Sequence, residues 1–169
     1  LQLPSGSYQM RIMDQGRSEL VQTVNIEADQ VMDVSPTMGQ ASQIHFDVRD
    51  EAGRSLPCKA QFLGLEPTPS PNLGPENRAH GCKDQYHSES GLFSVALSPG
   101  SYRVVVTHGI EFSHVSQVIT LKEGGSEHLS VTLKRLVDTT GWVSTDFHNH
   151  STPSGDNHTK TDDRIINLA

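Results

Sequence analysis

At 169 residues the chain has room for one ordinary domain together with pieces of others. Hydrophobic residues at 34% and charged residues at 20% put it on the polar side of globular, short of the disordered class. The net charge of -7, with lysine and arginine scattered and never in a run, argues against nucleic acid, since no basic patch exists to displace counterions from phosphates. No stretch approaches the roughly 18 apolar residues of a membrane span. Leu1-Gln2-Leu3-Pro4 has neither the basic start nor the apolar core of a signal peptide, and the chain reads as starting in the middle of a domain.

An internal repeat organises the first part. Leu3-Pro4-Ser5-Gly6-Ser7-Tyr8-Gln9-Met10-Arg11-Ile12 matches Leu97-Ser98-Pro99-Gly100-Ser101-Tyr102-Arg103-Val104-Val105-Val106 at an offset of 94 residues. In each copy a glycine turn leads to an aromatic residue that opens a strand. A second strand is expected after it (Gln22–Ile26; Gln117–Leu121), then a third (Val31–Val34; His128–Lys134). The offset is the size of a small β-sandwich. Residues 1–37 therefore read as the last strands of a truncated sandwich, and 40–135 as a complete one.

The complete unit is legible strand by strand. Ile44, Phe46 and Val48 alternate with polar neighbours, and Asp50-Glu51-Ala52-Gly53 supplies a turn. Cys58, Ala60 and Phe62 share a face, as do Phe93, Val95 and Leu97; Tyr102, Val104 and Val106; and Leu129, Val131 and Leu133. Nothing here has a helical period, so the expected class is mainly β. Between Gly64 and Ser90, Pro67, Pro69, Pro71 and Pro75 rule out a regular ladder and predict a surface loop. Cys58 and Cys82 form no CxxC motif; they pair as a disulfide or stay as thiols according to compartment.

After a linker over 135–140 the character changes. Gly141-Trp142-Val143-Ser144-Thr145-Asp146-Phe147-His148-Asn149-His150-Ser151 is a β-prone run ending in His-x-His, followed by a polar loop that reaches Asp156. In a strand, Asp146, His148 and His150 would share a face, with the two histidines about 6.6 Å apart along the backbone. Both imidazoles could then reach one ion at roughly 2.0–2.1 Å. Thr161 or Asp162 is placed to cap a closing helix, with Ile165, Ile166 and Ala169 on one face. Strand, loop and helix make the first βα unit of a larger α/β domain. Trp142 is expected to pack between that domain and the sandwich.

Asp146-Phe147-His148-Asn149-His150-Ser151, with Ser154-Gly155-Asp156, resembles the first motif of the PHP-domain metal-dependent hydrolases. The region around Val48–Pro57 and Gly91–Tyr102 is similar to the carboxypeptidase-regulatory, transthyretin-like kind of Ig-like β-sandwich. The two in succession resemble the CehA/McbA-type branch of the PHP family. The hydrolase resemblance covers residues 141–169 and implies the start of a distorted β/α barrel, here truncated. It implies His148 and His150 as metal ligands, Asp156 as a further ligand or a residue orienting one, and Asp146 as the residue that holds the tautomer of an imidazole without touching the metal. It also implies two or three divalent transition metal ions (zinc, manganese or iron), whose remaining ligands lie beyond residue 169. The reaction implied is attack of metal-activated water on a small-molecule ester, amide or phosphoester, in a periplasmic or secreted protein, with residues 1–169 inactive alone. The alternative is a non-catalytic sandwich array used for adhesion, spacing or carbohydrate binding. His-Asn-His does not imply an HNH nuclease, whose residues are dispersed and whose basic surface is missing here. The other histidines read as exposed strand, loop or turn residues, and His80 beside Cys82 as a metal pair without a second half.

Overall fold

The computed structural model describes residues 2–169, and Leu1 lies outside them. Strands hold 39% of the residues and a single short helix is present among those described, so the chain is mainly β. A hairpin of β1 (Gly6–Ile12) and β2 (Leu20–Ile26) comes first. Then follow β3 (Gln43–Asp50), β4 (Cys58–Gly64), β5 (Gln85–Ser88), β6 (Leu92–Ala96), β7 (Gly100–Thr107), β8 (Val115–Leu121) and β9 (Ser126–Leu133), and finally α1 (Thr161–Leu168).

Strands β3 to β9 form two sheets, ordered β6-β3-β9 and β5-β4-β7-β8. The inward residues of both meet in one core, Ile44, Phe46, Val48, Val95, Leu129, Val131 and Leu133 from the first and Cys58, Ala60, Phe62, Tyr102, Val104, Val106, Ile119 and Leu121 from the second. This arrangement is consistent with a β-sandwich. The alternation read in the sequence is the alternation seen, because one face of each sheet meets the core and the other meets water. Within the first sheet β3 pairs antiparallel with β6 but parallel with β9.

The repeat at offset 94 is also a repeat of contacts. Tyr8 donates its hydroxyl to Pro4 O at 2.8 Å, and Tyr102 donates to Ser98 O at 2.8 Å, the same bond four residues back. β1–β2 and β7–β8 are corresponding hairpins, with Gly6 opposite Ile26 and Gly100 opposite Leu121. The junction after each hairpin is built alike. Ser42 N donates to Gly16 O, in the β1–β2 turn, at 2.7 Å; Leu136 N donates to Glu111 O, in the β7–β8 turn, at 2.8 Å. Ser42 and Leu136 are themselves 94 residues apart. Gly16 is buried at φ +79, and a Cβ there would lie 2.8 Å from Ser42 O, so the turn seats this closely only with glycine. Ser98 Oγ, donating to Arg17 O at 2.7 Å, completes the seat.

Two expected strands do not form. Residues 31–34 are irregular and Val31 is 95% exposed. Their counterpart β9 is held by pairing with β3, and among the described residues the first unit has no strand equivalent to β3. The run 141–150 is the second case. No neighbouring strand among the described residues meets its backbone groups, and β-propensity without a ladder does not hold a strand.

The proline-rich segment after β4 is a loop as expected, but Leu73 and Ala79 within it are buried and β5 grows from its end. Cys58 and Cys82 are both free thiols. No helix is long and apolar enough to cross a membrane.

Candidate functional site

The route to the His-x-His motif starts at the β7–β8 turn. Glu111 O accepts from Leu136 N and Val137 N, its carboxylate pairs with Arg135, and the Arg135 guanidinium lies 4.4 Å above the Phe112 ring centre. Beyond this anchor the backbone leaves the sandwich. Residues 141–149 are all exposed, with Phe147 at 95% and Trp142 at 82%. Nothing among the described residues covers Trp142.

In place of a strand, Asp146 makes a turn. Its Oδ1 accepts from His148 N at 3.0 Å and its Oδ2 from Asn149 Nδ2 at 2.9 Å. An aspartate side chain bonded to the amide two residues on is a local competitor of extended structure. The carboxylate expected beside an imidazole is spent on its own loop.

The turn brings the two histidines together. His148 Nε2 and His150 Nε2 are 2.9 Å apart, with ring centres at 5.0 Å and planes inclined by 30°. Behind His150, its Nδ1 lies 3.0 Å from Asp156 Oδ1 and 2.9 Å from Oδ2. Ser154 donates its hydroxyl to Asp156 Oδ1 at 2.5 Å. The Ser154 hydroxyl first, and the His150 ring after it, hold the Asp156 carboxyl below its ordinary value. An ionised carboxylate only accepts, so His150 carries a proton on Nδ1, and when the ring is neutral it presents the lone pair on Nε2. The hydrogen bond between the rings then makes His148 the donor through Nε2.

Two imidazole nitrogens at this spacing can be bridged by one ion bound at roughly 2.0–2.1 Å from each. A carboxylate behind the ligating ring is the usual means of fixing its tautomer. The residues present fit a metal in that respect, with His148 and His150 as donors and Asp156 in the orienting position. Among the described residues, no group of three or more His, Cys, Asp or Glu side chains is arranged to hold a metal ion. Two imidazoles leave a four-coordinate site half filled.

No protein-family model matches this chain, and no curated protein matches it.

The far side of the loop is tied down by residues that the spacing did not flag. Arg164 Nε donates to His150 O at 3.1 Å from the first turns of α1. Thr152 N donates to Thr159 O at 2.8 Å, and Thr161 Oγ1 donates to Thr152 O at 3.2 Å. Thr161 is therefore not the cap it was expected to be. Lys160 occupies the cap position with no side-chain bond, and Asp162 and Asp163 supply the acidic first turn. A partner for Arg164 could have been anticipated only as a basic residue one helical face away from a carbonyl-rich loop, a signal too common to use.

Of the remaining histidines, His114, His128 and His158 are exposed as expected, while His45, His80, His87 and His108 are partly buried. His87 and His108 are half-buried, and burial favours the neutral ring of each. His80 pairs with Glu89 at 2.8 Å, and His45 stacks on His128 at 4.6 Å. A cleft of about 780 Å³ opens between β4, the β7–β8 turn and the end of α1. His87, His108 and Glu111 line it, and the histidine pair does not.

Proposed function

We propose that His148 and His150 are the opening ligand pair of a PHP-type metallohydrolase site, with the sandwich 40–135 as its carboxypeptidase-regulatory-like accessory module. The observation that supports this reading is the convergence of the two Nε2 atoms with Asp156 and Ser154 arrayed behind His150. His148 and His150 would hold a zinc, manganese or iron ion. When bound, such an ion brings the ionisation of a water toward neutral pH and polarises a carbonyl or phosphoryl oxygen. Asp156 keeps the His150 proton on Nδ1, Ser154 keeps Asp156 in line, and Asp146 folds the loop that carries His148. Two ligands do not make a hydrolytic site, so the reading requires further acids and histidines from outside residues 1–169. The substrate class is a small ester, amide or phosphoester.

The test is hydrolysis of chromogenic ester, anilide and phosphoester substrates by the full-length protein loaded with zinc or manganese. Activity that disappears in His148→Ala and His150→Ala supports the reading. Activity equal in wild type and both variants rejects it.

One observation favours a second reading, a non-catalytic sandwich array. The hairpin, tyrosine bond and junction recur at an offset of 94 to 95 residues, as they would in a chain of spacer modules. Under that reading neither histidine affects any measured property except local loop structure.

A further inference from the structure

Asn77 to His80, in the connection between β4 and β5, bridge the sandwich to the histidine loop. On the sandwich side a column of rings runs outward from the core. Phe93 stacks on Phe46 at 4.5 Å, Tyr86 on Phe93 at 5.1 Å, and His80 on Tyr86 at 5.2 Å. His80 is further held by Glu89, and the fully buried Ala79 accepts from His87 N at 3.0 Å through its carbonyl. This short segment is thus fixed to the packed core.

Its other side faces the loop. Ala79 N donates to Asp163 Oδ1 at 2.8 Å, and Asn77 Nδ2 donates to His158 O at 3.1 Å. Asp163 is next to Arg164, whose Nε holds His150 O. Thr159, buried beside His158, is bonded to Thr152. The chain of contacts therefore runs from Phe46 through Ala79 and Asp163 to the backbone of His150.

We infer that Asp163 and Asn77 are positioning residues that clamp the His148/His150 pair to the sandwich, so that the accessory module sets the geometry of the site. This rests on the pair being metal ligands. A loop free to wander must be ordered each time an ion binds, and that ordering weakens affinity. A loop clamped to a packed core has already lost that freedom.

The experiment compares wild type, Asp163→Ala, Asp163→Asn and Asn77→Ala as the full-length protein. Zinc affinity is measured by calorimetry, and the ring nitrogen resonances of His148 and His150 and exchange at the Ala79 amide are followed by NMR without added metal. Asp163→Ala is expected to weaken zinc binding about tenfold, the low end of what loss of an orienting partner costs, to shift both ring resonances and to expose the Ala79 amide. Asp163→Asn keeps an acceptor oxygen and should restore all three. Asn77→Ala should move the same resonances by less. Ring resonances and zinc affinity unchanged in Asp163→Ala overturn the inference. If wild type itself binds no zinc, the metal reading fails separately. The rings still decide the clamp: shifts in Asp163→Ala but not in Asp163→Asn uphold it, and their absence overturns it.

Discussion

Replacing Asp156 by alanine is the most informative single change at the histidine pair. In the structure both carboxylate oxygens lie within 3.0 Å of His150 Nδ1, and this bond selects the tautomer whose Nε2 lone pair faces His148. Without it, the neutral ring is free to carry its proton on either nitrogen and to rotate. Loss of an orienting carboxylate of this kind weakens metal binding on the order of 10–100-fold. Asp156 is exposed, so the fold should be untouched and thermal melting should match wild type. The assay is competition between the protein and a chromogenic chelator for zinc, from pH 8 downward. Asp156 has its carboxyl held below the ordinary value of 3.8, so its contribution is present above that range and is lost only at more acidic pH. A Kd within twofold of wild type would refute the orienting role. A loss as complete as that in His150→Ala would show that Asp156 is itself a ligand.

Phe62, fully buried and edge-on to Phe46 at 6.0 Å, joins the two sheets; Phe62→Ala should cost about 3–5 kcal/mol in urea unfolding, and a cost under about 1 would deny the shared core. Tyr102→Phe removes the hydroxyl donated to Ser98 O and should destabilise by about 1 kcal/mol, whereas a neutral result would reduce the repeated tyrosine bond to coincidence. Burial pushes the Cys58 thiol up to about 12, so alkylation of the native protein at about pH 8 should label Cys82 and spare Cys58; no labelling of either until reduction would reveal a disulfide.

The inward residues of β3, β4, β7 and β9 were readable because alternation reports directly which side of a strand is dry. β5 was not readable: Gln85-Tyr86-His87-Ser88 has no apolar alternation, and it is a strand because β4 lends it a ladder at the sheet edge. The parallel pairing of β3 with β9 joins residues more than eighty positions apart and leaves no local trace. The same dependence on partners explains the misses at 31–34 and 141–150, where β-prone residues find no neighbour to pair with. At the site, the spacing of His148 and His150 signalled their convergence, but through the wrong geometry. A turn made by Asp146, rather than the common face of a strand, brings the rings together. Asp156 rather than Asp146 reaches an imidazole, because which carboxylate does so depends on how the loop folds back. The clamp through Asp163 and Ala79 was invisible, since a buried backbone amide has no signature in sequence.

The central claim is that the two histidines hold one metal ion together. Its most direct test is zinc stoichiometry by calorimetry on the full-length protein beside its His148→Ala/His150→Ala double variant. Wild type should bind at least one ion per chain more than the double variant, with binding weakened in each single one. Equal zinc uptake by wild type and double variant, or none by either, would contradict it.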